Sequence, residues 1–192
     1  MANLDAPSGA KPLRHNSGGT IRSKEYKIAS GSSTNIFTGD FVKLLSTGYI
    51  DVAAAGNRLL GVFAGVKYTA SDGTPTFSKY WPASTATLGS ADAIAYVYDD
   101  PNIVFAIQGD GADAFTQIGN LADIVATAGS TVTGQSKMEL DTSDIKTGTA
   151  NLRILGLVDD PKNEWGTNAE QEVLIYEHEL NQHIDADGTP GV

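Results

Sequence analysis

The stretch AIAYVYDDPNIVFAIQ, residues 93–108, alternates on both sides of a central break. Before the break Ile94, Tyr96 and Tyr98 share one side of an extended chain, and after it Ile103, Phe105 and Ile107 do. Successive side chains of a strand point to opposite faces, so a period of two marks half-buried strands. Asp99-Asp100-Pro101-Asn102 between them is a tight loop, because Pro101 lacks an amide donor and keeps Asp100 out of helical geometry.

The same period extends outward. In GDFVKLLSTGYIDVA (39–53), Val42 and Leu44 share a face, and Ile50 and Val52 resume after Ser46-Thr47-Gly48, which predicts a hairpin. NRLLGVFAGVKYT (57–69) is a further strand in which Gly61 and Gly65 mark a bulge, a bend or a close backbone approach. Ser71-Asp72-Gly73-Thr74 is a turn that returns the chain as TFSKYW (76–81). Two more strands, NLRILGLV (151–158) and EVLIYEHEL (172–180), close the body. One weak strand is expected around Met138–Leu140 inside the Ser/Thr/Gly-rich segment 127–150.

One segment has another period. ADAFTQIGNLADIVA (112–126) spaces Phe115, Ile118, Leu121, Ala122 and Val125 as a helix would, with Gly119-Asn120 as an early stop. The expected fold is mainly β: an antiparallel β-sandwich or barrel of about eight or nine strands with one short helix and an extended N-terminal arm. Residues 1–27 form the arm, 28–180 the β-rich body and 181–192 a flexible tail. A weak echo relates Gly39-Asp40-Phe41-Val42 and Arg58–Val62 to Ala122-Asp123-Ile124-Val125 and Arg153–Leu157. It is either chance or a sign of two related halves, about 36–108 and 109–180.

Composition excludes much chemistry. The 192 residues contain no cysteine, so disulfides, thiolate metal sites and cysteine nucleophiles are absent. No apolar run approaches the roughly 18 residues of a membrane span, and no membrane partner is expected. The N-terminus lacks the apolar stretch of a signal peptide, so export by that route is not expected. The net charge of −10 divides unevenly: residues 1–27 carry +3 and the remainder −13. So acidic a body is repelled by phosphate, and nucleic acid is not an expected partner. The arm is either a solvated tail or a segment that lies on an acidic neighbour, where Leu4, Pro7, Pro12, Leu13 and Ile21 would give it something to bury.

No catalytic constellation stands out, and no enzyme, cofactor or metal site is expected. Gly109-Asp110-Gly111-Ala112-Asp113-Ala114 follows a strand as a dinucleotide loop would, but Asp110 and Asp113 would oppose a pyrophosphate. His178-Glu179 begins like a zinc-protease helix, yet Gln182 stands where the second histidine belongs and the segment reads as a strand. Asp99–Asn102 and Asp159–Asn163 concentrate oxygen ligands without the spacing of a calcium loop, which favours structural turns. Phe77, Tyr80 and Trp81 form either one hairpin's core or a subunit interface.

Taken together, NLDAPSGAKPLRH, IFTGDFVKL, AAAGNRLLGVFAGVKY, YVYDDPNIVFAIQGDGA and ILGLVDDPKN resemble the head decoration, or cement, proteins of tailed bacteriophages over most of residues 1–180. The resemblance implies a virion structural protein, made in the host cytoplasm, that binds the outer surface of the capsid and clamps neighbouring major capsid protein subunits. It also implies self-association as a dimer or trimer. The docking candidates on the arm are Leu4, Lys11, Leu13, Arg14, Arg22, Lys24 and Lys27. The alternative is a phage tail or fibre β module that binds a host receptor or glycan through exposed aromatics such as Trp81 or Trp165.

Overall fold

A computed structural model of the chain describes residues 3–181. In chain order its strands are β1 (Lys11–His15), β2 (Lys24–Ile28), β3 (Ile36–Phe37), β4 (Phe41–Leu44) and β5 (Ile50–Val52). Then follow β6 (Gly61–Thr69), β7 (Pro75–Ser78), β8 (Tyr80–Trp81), β9 (Ala93–Tyr98) and β10 (Ile103–Gln108). The last five are β11 (Leu121–Ala122), β12 (Ile124–Val125), β13 (Glu139–Leu140), β14 (Leu152–Leu157) and β15 (Glu170–Ile175).

Fifteen strands replace the eight or nine expected: the expected arm supplies β1 and β2, TFSKYW divides into β7 and β8, and β3, β11 and β12 are two-residue ladders too short to show a period. All ladders between named strands are antiparallel. One sheet runs β1-β10-β15-β14-β11 and another β2-β9-β6-β4-β5 with β7 added to β6, while β12-β13 and β3-β8 are separate ribbons. Neither large sheet closes into a barrel. In the second, β2 approaches β5 only at an isolated bridge between Lys27 and Tyr49.

The expected helix over 112–126 does not form. Its place is taken by one 3-10 turn, Phe115–Gln117, and by β11 and β12. Gln117 accepts a hydrogen bond from the Ala114 amide, and Gly119, at φ +86°, turns the chain out of helical geometry. Leu121, Ala122, Asp123 and Ile124 are then buried in succession, which no one-sided helix can achieve. Phe115, the first residue of the expected apolar face, points to solvent.

Two strand sets share one topology and one register. β2, β4, β6 and β9 lie in the order first-fourth-third-second, and so do β10, β11, β14 and β15. Phe41 pairs with Val62 as Leu121 pairs with Arg153, and Phe63 with Val97 as Ile154 with Val173. In both sets the register then slips, so that Gly65 faces Tyr96 and Gly156 faces Glu172. The structural counterpart of Phe41 is therefore Leu121, three residues before the match offered by the sequence echo. The tight Asp99–Asn102 turn passes the chain from one sheet to the other.

Strand alternation feeds two cores. Ile103, Phe105, Ile107, Leu152, Ile154, Val173 and Ile175 line the first with Phe41, Leu59 and Val62. Val42, Phe63, Val66, Ala95 and Val97 line the second with Ile36, Ile50 and Trp81. Adjacent residues Phe41 and Val42, like Val62 and Phe63, thus enter different cores, and the β4–β6 pair is buried on both faces. Asn151, fully buried, ties the sheets: its amide donates to Asp123 and its side chain donates to the Asn57 carbonyl and accepts from Ile124.

Candidate interaction surfaces

The described part of the N-terminal stretch is built into the body. Asn3 donates to the carbonyls of Glu164 and Thr167, Ala6 donates to the Gln108 side chain, and Gln135 donates to the Ser8 carbonyl. Lys11–His15 then adds to β10 and Lys24–Ile28 to β9. The basic groups meet acids of the body: Lys11 with Glu170 at 3.2 Å, Arg14 with Glu172 at 2.5 Å, Lys24 with Asp99 at 3.8 Å and Lys27 with Asp92 at 3.0 Å. Arg22 is exposed on the segment joining β1 and β2. Leu4 is 78% exposed, and Leu13, at the register slip between Pro12 and Arg14, is 41% exposed. Lysine, proline and a bulge on β1 are the devices by which edge strands avoid unwanted pairing.

Phe77, Tyr80 and Trp81 separate. Trp81 is fully buried in the second core, edge-on to Tyr68 with ring centres 5.3 Å apart. Tyr80 stacks on Phe37 at 5.4 Å. Phe77 alone stands out, 79% exposed, opposite Lys67 in the β6–β7 ladder. Beside it lies a groove of about 270 Å³ lined by Tyr68, Pro75, Ala91 and Ile94. The charges around it are paired: Lys67 with Glu25 at 2.7 Å, where hydrogen bonding lowers the carboxyl's pKa, and Lys27 with Asp92. Phe77 and Trp81 have the same parity, so alternation alone would put them on one face; they part because Phe77 lies on β7 opposite Lys67 and Trp81 on β8 opposite Ile36.

The polar candidates serve as local structure. Asp100 accepts from the Asn102 amide at 2.8 Å and Asp160 from the Lys162 amide at 2.8 Å, so both Asp-Pro turns are closed by the same carboxylate-to-backbone bond. In the 109–114 loop Asp110 holds the Thr142 amide, and the buried Asp113 holds the Ala169 amide. Burial pushes the Asp113 carboxyl up to about 6, and it does the same to Asp40. His178 is buried next to Leu59 rather than alternating within a strand, and burial pushes its imidazole down to about 4. His183 lies outside the described residues. Among the described residues no group of three or more His, Asp or Glu side chains is placed to hold a metal ion.

Trp165, the other candidate aromatic, is half-buried and belongs to a further ring pair. Phe115, 70% exposed, meets Trp165 edge-on at 6.2 Å. The two come from loops fifty residues apart in the chain, and no local pattern joins them. Neither protein-family models, nor curated proteins, nor solved structures include a match to this chain.

Proposed function

We propose that this chain is a head decoration protein that docks on the outside of a bacteriophage capsid and holds neighbouring major capsid protein subunits together. The reading rests on the resemblance of its sequence strings to such proteins. The observation that carries it is the N-terminal strap. An extended segment fixed to a rigid β body keeps Leu4 and Leu13 exposed, and an apolar side chain held in place loses little entropy on binding. The strap's cations are matched by Glu170, Glu172, Asp92 and Asp99, so docking rests on its apolar groups and backbone more than on net charge.

The test is co-sedimentation of the full chain with expanded empty heads that lack it. Saturable binding is expected, and a Leu4→Ser, Leu13→Ser double variant should bind at least tenfold more weakly with an unchanged circular dichroism spectrum. A chain that stays in the supernatant at every concentration would overturn the proposal. The Phe115–Trp165 pair favours a second reading, a tail or fibre module that binds glycans on the exposed Phe115 ring beside the half-buried Trp165. Affinity electrophoresis in immobilised glycans separates the two, since only the second predicts retardation that Phe115→Ala removes.

A further inference from the structure

We propose that the outer face formed by β2, β9, β6 and β7 is a two-fold interface between two copies of this chain, with Phe77 of each copy seated in the groove of the other. The proposal stands apart from head decoration, because it concerns the free protein.

Three features of the face carry it. Phe77 sits on a strand, not a mobile loop: β7 pairs with β6 over four residues, and Asp72 closes the intervening turn by accepting from the Thr74 amide at 2.9 Å. A ring displayed from a fixed strand has little freedom left to lose on association. Next, projection and recess share one patch. The groove of about 270 Å³ is lined by Phe77 itself together with Tyr68, Pro75, Ala91 and Ile94, and its wall is completed by Lys67, Asp92 and three threonines. A closed cavity of about 150 Å³ holds benzene, so this larger, more open recess has room for a phenyl ring against its apolar side. A patch holding both knob and hole is what a two-fold contact requires, since each copy then offers what the other needs.

The third feature is charge, and it selects the occupant. Glu25, Lys27, Lys67 and Asp92 on this face cancel and are already paired with one another, while the chain as a whole carries −10. A strongly basic or acidic partner finds no field here to recognise. Two copies of an acidic chain repel least where their surfaces are neutral, and this is such a surface. Leu88, in the turn between the groove residues Thr87 and Ala91, extends the apolar area.

The experiment is sedimentation equilibrium of the full chain from about 1 µM to 1 mM. The mass is expected to rise from 20.1 kDa toward twice that value. Phe77→Ser should weaken dimerisation at least 30-fold, the loss typical of a central aromatic anchor. Ala91→Arg, on the exposed groove wall, should do the same, and both variants should melt with wild-type monomer midpoints. Val132→Ser, at a 93% exposed position in a different turn, should leave the dimer intact. A single 20.1 kDa species throughout, dimers that survive Phe77→Ser, or dimers lost in Val132→Ser would overturn the proposal. Failure to bind capsids would leave these masses unchanged, so the two proposals fail separately.

Discussion

Arg14 and Glu172 form a 2.5 Å ion pair across the strand that separates their own. Arg14 belongs to β1 and pairs with Val104 of β10, while Glu172 of β15 pairs with Ala106 of the same β10. Lys11 reaches Glu170 in the same manner. Val104 and Ala106 alternate with the core residues of β10, yet both are fully buried, and the bridging side chains cross β10 on their side of the sheet, where aliphatic stems can cover them. β1 therefore roofs the outer face of β10 as well as extending the sheet.

If cover matters more than charge, Arg14→Met should cost less than about 0.5 kcal/mol and Arg14→Ser about 1 kcal/mol in urea denaturation. A half-exposed ion pair alone would be weakened equally by both. Equal losses, abolished by 1 M salt, would assign the effect to the ion pair and refute the roof.

The same roof sets the limit of truncation. Removing residues 1–9 takes away side-chain tethers but leaves both strands. Removing residues 1–27 deletes β1 and all but the last residue of β2, uncovering the outer faces of β10 and the edge of β9. The shorter deletion should give a cooperatively folding protein that binds heads poorly, and the longer one an aggregating protein. A soluble, cooperative 28–192 fragment with a thermal midpoint within a few degrees of wild type would show that β1 and β2 are dispensable.

Legibility in the sequence followed length and periodicity. β9, β10, β14 and β15 were visible because six residues of alternation outweigh local noise, and the 45–48 and 71–74 turns because glycine and aspartate mark them. The Leu121–Ile124 stretch misled because its apolar spacing fits a helix, while its burial comes from two different ladders, to Arg153 and Leu152 on one side and Leu140 on the other. Trp81 and Phe77 looked alike as neighbouring aromatics, and only the strand register places one in a core and the other in solvent. The strap's ion partners, Glu170 and Glu172, lie about 160 residues away, a separation that no local pattern spans.

Two glycines matched by the sequence echo should behave differently. A Cβ on Gly61 would lie 2.1 Å from the Tyr98 carbonyl oxygen and 3.0 Å from the Asp99 Cα, where β6 runs close to the end of β9. Gly156, its sequence counterpart, has open space around that position. Gly61→Ala should cost at least about 2 kcal/mol, and Gly156→Ala should lie within about 0.5 kcal/mol of wild type. Chemical denaturation measures both, and comparable losses would mean that the close approach at Tyr98 relaxes easily.

Stability against pH should carry two opposed contributions in one window. Burial raises the carboxyls of Asp113 and Asp40 from 3.8 to about 6, against the hydrogen bonds from Thr142 and Ala169, and from Ser136 and Phe37, that hold them down. Between these values the folded chain keeps protons that the unfolded chain has released. This contribution is therefore complete below pH 3.8 and lost as pH rises through 6. Burial lowers His178 from 6.5 to about 4, so there the unfolded chain holds the extra proton, and stability is lost as pH falls from 6.5 toward 4. Asp113→Asn keeps an oxygen for the Ala169 amide and removes the titration, so its stability relative to wild type should improve steadily from pH 4 to pH 7. His178→Asn, whose oxygen can still accept from the Leu180 amide, should gain relative to wild type in the opposite direction, from pH 6.5 down to pH 4. Thermal melts at half-unit pH steps separate the two slopes. Curves parallel to wild type for both variants would mean that neither group changes its protonation on folding.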